Sequence, residues 1–287
     1  FYAAGDDLVL FTRRVPAAAD AATGAGGAAE LDEAALQDAA FGYRDYAKER
    51  DFLLACAARF GARDVRRVLA WASGSGRHLL AFADGGASGV GVDGSPALVA
   101  YATRLASSRS LAPAVSFRVG ALGDAADLGG PFDLSFVPLS SIHQLGSEAL
   151  LVRHLEAAAV SLAPGGVHVI EATHPGDLSP AGANHTEWTE VRGDLVIDAR
   201  FRMHLDRRVG SVVPVTLDVV CAGDKRASPR GRLKQEDRWF IPDLATWRSV
   251  AARVPAFELA AALGDFRVDV PFEHSAAWRL ILVLRRT

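Results

Sequence analysis

Residues 65–93 read VRRVLAWASGSGRHLLAFADGGASGVGVD, and the change of character along them predicts a strand, a glycine-bearing turn, a helix, a second strand and an acid. Residues 65–71 are a short apolar run suited to a buried parallel strand. Ser73, Gly74, Ser75 and Gly76 carry little that would keep a ligand off the backbone. Residues 77–83 have helical composition, so the free N–H groups of a first turn face whatever lies over the glycines. The second strand, 88–92, ends in Asp93-Gly94, an acceptor placed where a ribose diol sits in the mononucleotide-binding half of a doubly wound sheet.

Two cofactor classes use this geometry, and the glycine pattern separates them. A dinucleotide fingerprint wants G-x-G-x-x-G, whereas Leu79 stands three residues after Gly76, so the close helix-to-strand approach has no glycine. A nicotinamide-dependent reductase is therefore the poorer match. The stretch resembles instead the first motif of class I S-adenosylmethionine-dependent methyltransferases, whose strand usually ends acid-x-Gly-x-Gly-x-Gly, often followed by Arg-His as in Arg77-His78. This chain departs from the motif at Ala70, in the place of the acid, and at Ala72, in the place of the first glycine.

The 287 residues, half of them hydrophobic, suit one α/β domain with an insertion better than two small domains. A net charge of −3 gives no general drive toward phosphate backbones or anionic lipid, so neither nucleic acid nor membrane is expected as a partner. No apolar run approaches transmembrane length. Cys56 and Cys221 make neither a disulfide framework nor a metal cluster, and a reducing, cytoplasmic compartment is the expectation. Histidines and carboxylates are scattered without a repeated ligand spacing, so no metal is expected. The first residue is Phe1, and a targeting signal ahead of it stays open.

Residues 1–30 read as an N-terminal arm and a flexible linker of alanine, glycine and aspartate. From 31 to 60 the apolar positions recur at helical spacing and stop at Gly61, which suits two helices. Between them, Phe41-Gly42-Tyr43-Arg44-Asp45-Tyr46-Ala47-Lys48-Glu49 resembles the D-Y-x-x-E segment of small-molecule methyltransferases. That resemblance implies Tyr46 beside the cofactor and Tyr43 beside the substrate; tyrosines that merely pack the helix onto the sheet are the other reading. After Gly94-Ser95-Pro96 comes a second crossover helix, 97–107, and then a strand, 115–119. The family usually follows this strand with Gly-Asp-x, an acid for the adenine amine and an apolar residue over the ring. Here the acid position is Ala121, with Leu122 left to cover adenine and Asp124 as a substitute acceptor.

Residues 131–137 form a fourth strand running into Pro138-Leu139-Ser140-Ser141-Ile142-His143. Ligands of open parallel sheets gather beyond the carboxyl ends of the strands, so this loop should face the transferable group. It resembles the Ser-Ser-Ile-x-His-Leu segment of small-molecule N- and O-methyltransferases. The resemblance implies Pro138 at the cofactor, Ser141 at the substrate and His143 as a general base or substrate anchor; a structural histidine is the alternative. A helix over 147–163 ends in Pro164-Gly165-Gly166, which resembles the family's L-x-P-G-G-x turn. A fifth strand, 167–170, ends in Glu171, and Glu171 and His174 lie in a segment resembling the E-x-x-H-P-x-D-x pocket rim of related enzymes, which implies that they bind a substrate amine or hydroxyl; an ordinary polar exit from strand to loop is the other reading. From Glu187 the pattern turns to period two, with strands over 195–205 and 212–220, a third at 238–240 and an exposed loop at 223–233. The pattern alone gives an antiparallel insertion. Its place resembles the lid that glycine N-methyltransferase-like and sugar N-methyltransferase-like enzymes put over a small substrate, which implies a lid over about 186–240 with Trp188 as a substrate contact. A helix over 242–254 and strands over 257–266 and 276–284 close the chain, the strands resembling the family's closing Y-G-D-F and R-x-x-x-V-L-R-R.

The expected fold is a doubly wound, seven-stranded α/β sheet with an antiparallel last strand, a Rossmann-like methyltransferase fold over 31–287, plus the small antiparallel β lid. The expected function is methyl transfer from S-adenosylmethionine to a nitrogen or oxygen of a small molecule. A methyltransferase-fold subunit supporting an active paralogue, as a heterodimer, is the second reading, favoured by Ala70, Ala72 and Ala121. A homodimer is open as well.

Overall fold

A computed structural model of the chain describes residues 12–14, 31–61, 64–124, 127–179, 182, 184–223 and 229–287. The expected arm and linker over 1–30 lie outside the described residues, apart from a short strand β1 (Thr12–Arg14). Helices α1 (Glu33–Ala40) and α2 (Tyr46–Phe60) follow, each opened by an aspartate, Asp32 or Asp45, whose side chain accepts from a first-turn N–H. The alternating core is β2 (Arg67–Trp71), α3 (Arg77–Asp84), β3 (Ser88–Asp93), α4 (Pro96–Ser108), β4 (Val115–Val119), β5 (Phe132–Val137), α5 (Glu148–Ser161) and β6 (Leu162–Thr173). The lid strands β7 (His185–Arg192), β8 (Leu195–Met203), β9 (Val212–Gly223) and β10 (Pro229–Phe240) come next, then α6 (Leu244–Ala252), β11 (Phe257–Leu263) and β12 (Arg279–Arg286).

The main sheet has seven strands in the order β11-β12-β6-β5-β2-β3-β4. β2 through β6 run parallel, and β12 lies antiparallel between β6 and β11. Its central strands are apolar on both faces because helices cover both. On one side Trp71, Val137 and Ile170 pack with Leu155 of α5 and Trp247 of α6; on the other, Val68, Ala70 and Phe136 pack with Phe52 of α2 and Leu79 of α3. The chain steps from β2 outward to β4 and then returns to β5 on the other side of β2. That reversal opens a crevice at the carboxyl ends of β2 and β5, the place where such sheets hold ligands.

The lid differs from expectation in two respects. It has four antiparallel strands and not three, with β1 added in parallel to β7. The expected loop over 223–233 gives way to β10 from Pro229 onward, while 224–228 lie outside the described residues. Both strands escaped the sequence pattern because the sheet's outer face is solvated and charged, leaving few apolar residues to mark the period. The inner face packs Ile197, Ala199, Leu217, Val219 and Cys221 against Leu36, Ala39 and Ala40, so α1 belongs with the lid.

Candidate active site

Three loops meet at the carboxyl ends of β2, β3 and β4. The turn after β2 uses the left-handed region three times within five residues, at Ala72 (φ 48°), Gly74 (φ 54°) and Gly76 (φ 80°). Gly76 has no alternative, since a Cβ there would stand 2.6 Å from the Phe117 ring. Asp93 joins the turn to β3: its carboxylate accepts from the N–H of Gly74 at 2.8 Å and of Ser95 at 2.9 Å. Burial raises the Asp93 carboxyl above its usual value, against the pull of these two N–H groups. The Gly120 N–H donates to the Asp93 carbonyl at 3.0 Å and so brings the loop carrying Ala121 and Leu122 alongside.

This cradle fits an adenosyl cofactor. A Cβ on Gly74 or Gly94 would meet nothing within 4 Å, so space stands open over both loops. The Ser73 hydroxyl is buried and has no hydrogen-bond partner. The first turn of α3 has no side-chain cap, which leaves its N–H groups for an anionic group. Leu122 is half-buried against the core and Ala121 is exposed. Asp124 does not stand in for the acid missing at 121: it accepts from the Ala121 N–H at 3.0 Å and pairs with Arg153 at 3.6 Å. Ala70 sits in the apolar cluster with α2 and α3, 1% exposed. Pro138 is buried at the end of β5.

A buried charge network lies beside the cradle, and the sequence reading did not foresee it. Arg44 grips Glu49 with two bonds of 2.8 and 2.7 Å and reaches Glu171 at 3.1 Å. Glu49 also meets His78 of α3 at 2.6 Å. Burial alone would raise the Glu49 carboxyl; His78 and Arg44 outweigh it and bring it down to about 2. Glu171 Oε2 accepts from the Leu139 N–H at 2.7 Å, fixing a turn in which Leu139 (φ 58°) and Ser140 (φ 56°) are both left-handed. Glu171 Oε1 is buried without a hydrogen-bond partner, and Arg279 Nε, 3.7 Å from it, has none either. Tyr43 lies among these charges, and burial raises its hydroxyl above the usual range. Its ring meets Trp188 edge-on at 5.8 Å. Of the expected substrate residues, Tyr43, Glu171 and Trp188 thus come together at the lid.

Others take different roles. His143 is not poised as a base: it is 1% exposed, its Nδ1 bonds the Phe240 carbonyl at 2.7 Å, and its Nε2 accepts from the Thr173 N–H at 3.0 Å. Both nitrogens serve backbone, and burial pushes the ring down to about 4, so it is neutral and pins the end of the lid to β6. Tyr46 spends its hydroxyl on the Phe41 carbonyl at 3.0 Å, while its ring edge rests on His78. His174 accepts from the Gly176 N–H at 3.0 Å and packs on Phe272, so it serves its own turn. Ser141 opens a short 3-10 turn, its N–H on the Pro138 carbonyl at 3.2 Å. Trp188, besides meeting Tyr43, donates through Nε1 to the Ala40 carbonyl at 2.6 Å and so also ties the lid to α1. A concavity of about 540 Å³ lies elsewhere, on the outer lid face around Arg200, Thr216 and Lys234. Its floor is solvated sheet, so the strand ends remain the site.

The fold is that of the class I S-adenosylmethionine-dependent methyltransferases. Residues 68–166 match the family model described as a methyltransferase domain. S-adenosylmethionine is the cofactor of the class. No curated protein matches the chain. Among solved structures, it is similar to DesVI of Streptomyces venezuelae (19% identity, 90% of this chain and 100% of that one, TM-score 0.72). It is also similar to the sugar N-methyltransferase KedS8 of Streptoalloteichus sp ATCC 53650 (23%, 96% and 99%, TM-score 0.67). A third is S-adenosylmethionine-bound CalS10, an amino pentose methyltransferase of Micromonospora echinaspora (22%, 88% and 97%, TM-score 0.65). At these identities the likeness is one of fold. Among the described residues, no helix is long and apolar enough to cross a membrane.

Proposed function

We propose that the enzyme methylates an amino nitrogen, or failing that a hydroxyl, of a small molecule held between the lid and the ends of β5 and β6. The observation that carries this reading is the buried oxygen of Glu171 with no hydrogen-bond partner, beside Arg279 and Tyr43. A buried acceptor left unmade costs about 1–3 kcal/mol, and an amine or hydroxyl donor from the acceptor molecule would satisfy it. The bound cofactor would supply an electrophilic methyl on sulfonium. The protein's part is then placement. Ser73 and the first turn of α3 receive the amino acid end of the cofactor, and Asp93 receives the ribose. Glu171 accepts from the acceptor's N–H or O–H and so aims its lone pair; such positioning needs no strong base. The sugar N-methyltransferase likeness favours nitrogen.

The test is transfer of isotopically labelled methyl groups to a panel of amino sugars and their hydroxy analogues, using parent protein and Glu171→Gln. Labelled amines with parent and a fall of roughly 10²-fold or more with the variant are expected. Labelling that ignores the substitution rejects the placement of the acceptor. The second reading, a subunit supporting a paralogue, draws on Ala70 and Ala121, which stand where the resembled motifs carry acids. It requires turnover to appear only when a partner is added.

A further inference from the structure

We infer that Asp38 is a positioning residue for the cofactor: from the lid-borne helix α1 it holds the turn at Ser75–Arg77 in its binding shape, so the turn is ordered when α1 is docked. The inference rests on the assignment of residues 73–76 as the cofactor turn. Three left-handed residues in five, two of them glycine, make a turn that loses much chain entropy on ordering. Something must hold it from both sides. Asp93 does so on the β3 side, through the Gly74 N–H.

Asp38 does so on the other side. It is 2% exposed. Arg77, the first residue of α3, forks onto both of its oxygens, with Arg77 Nη2 to Oδ2 at 2.7 Å and Arg77 Nε on Oδ1. Burial would raise the Asp38 carboxyl, but Arg77, Arg192 and the nearby Ser75 outweigh it and hold it below its usual value. The Tyr101 hydroxyl of α4 donates to Oδ2 at 2.9 Å, and Arg192, at the end of β7, lies 3.5 Å from the same oxygen. Arg192 also donates to the Asp38 carbonyl at 3.3 Å. One carboxylate therefore ties α1 and the lid strand β7 to the turn, to α3 and to α4.

The position makes no sense for α1 alone. Asp38 stands in the last turn of that helix, where the helix dipole disfavours a negative charge, and that turn carries no basic residue. The rest of the α1 face, Leu36, Ala39 and Ala40, packs on the lid sheet, so the helix and the lid form one unit. Asp38 is the charged contact through which that unit grips the turn. A carboxylate kept for stability alone would loosen the whole chain when removed; a positioning carboxylate loosens the turn first.

The experiment uses the full chain carrying Asp38→Asn, with hydrogen exchange by residue and calorimetry with S-adenosylhomocysteine. The N–H groups of Ser73, Gly74 and Gly76 bond Val92 O, Asp93 and Ser73 O, so their protection is measurable. Exchange over 73–78 at least 10-fold faster, with β6 and β12 unchanged and binding at least 10-fold weaker, is expected. Unchanged exchange over 73–78, faster exchange spread equally over β6 and β12, or unchanged binding overturns the inference. Should Asp38→Asn fail to fold, Arg192→Gln cuts only the lid side of the joint. It should speed exchange over 73–78 at least 3-fold, and no change there overturns the inference. Failure of the parent chain to bind S-adenosylhomocysteine would instead overturn the assignment of the turn, while the exchange result still judges Asp38.

Discussion

Replacing His143 by Phe separates a pin from a base. The substitution keeps the ring beside Trp239 but removes both bonds, leaving the Phe240 carbonyl and the Thr173 N–H buried and unpaired. Each orphaned backbone group costs about 1–3 kcal/mol, so the loss should be about 2–6 kcal/mol in denaturant unfolding at pH 7.5. The pH dependence gives a second reading. Folding holds the His143 ring at about 4 against 6.5 for the free side chain. The folded pKa is depressed, so the unfolded chain takes up the proton first as pH falls. The stability of a neutral His143 is complete above pH 6.5, declines from there to pH 4 and is flat below. Two and a half pH units at 1.36 kcal/mol each give about 3 kcal/mol, to order of magnitude. His143→Phe should therefore be less stable than the parent at pH 7.5 and lose less between pH 6.5 and 4, its slope smaller by about one proton, or about 1.4 kcal/mol per pH unit. A variant with the parent's stability and slope but turnover reduced about 10²-fold would refute the pin and restore the base.

Ala72→Gly should raise the unfolding free energy by about 0.5–1 kcal/mol, because the φ of 48° there costs alanine strain that glycine avoids; equal or lower stability would contradict it. Gly76→Ala combines a φ of 80° with a Cβ 2.6 Å from the Phe117 ring and should cost roughly 2–4 kcal/mol in the same assay. Ala121→Asp places an acceptor on the exposed loop after β4 and should tighten S-adenosylmethionine binding by about 1.5–3 kcal/mol in calorimetry without lowering the melting midpoint. Ala70→Asp, by contrast, puts a carboxylate into an apolar cluster and should lower the midpoint of the ligand-free chain.

The main sheet was legible chiefly because its central strands are buried on both faces and so largely apolar, as at 65–71, 88–92 and 131–137; these and the part-exposed edge strand at 115–119 each lie within two residues of an observed strand. The turn at 73–76 was legible because left-handed backbone needs small residues, and Asp93 because it follows a strand end. What stayed hidden involves partners far apart in sequence. Arg44 meets Glu171 across 127 residues, and Asp38 meets Arg192 across 154, and nothing local marks such pairs. Asp38 did leave one sign, an acid in the last turn of a helix. His143 misled for a related reason: its partners are backbone groups, which a sequence does not display. In the lid, PRGRLKQEDRWF is a strand whose outward residues are charged, and HTEWTEVR turns Glu190 and Arg192 inward, so charge concealed both strands.

Calorimetric titration of S-adenosylhomocysteine into the parent chain and into Asp93→Ala tests most directly the claim that the ends of β2, β3 and β4 hold the cofactor. Asp93 already orders Gly74 and Ser95, and a carboxylate has lone pairs left for a ribose diol. The account predicts one site per chain in the parent and binding weaker by about 1–3 kcal/mol, or roughly 5- to 150-fold, in the variant. A folded parent that does not bind, or an Asp93→Ala variant that binds as tightly as the parent, would contradict it.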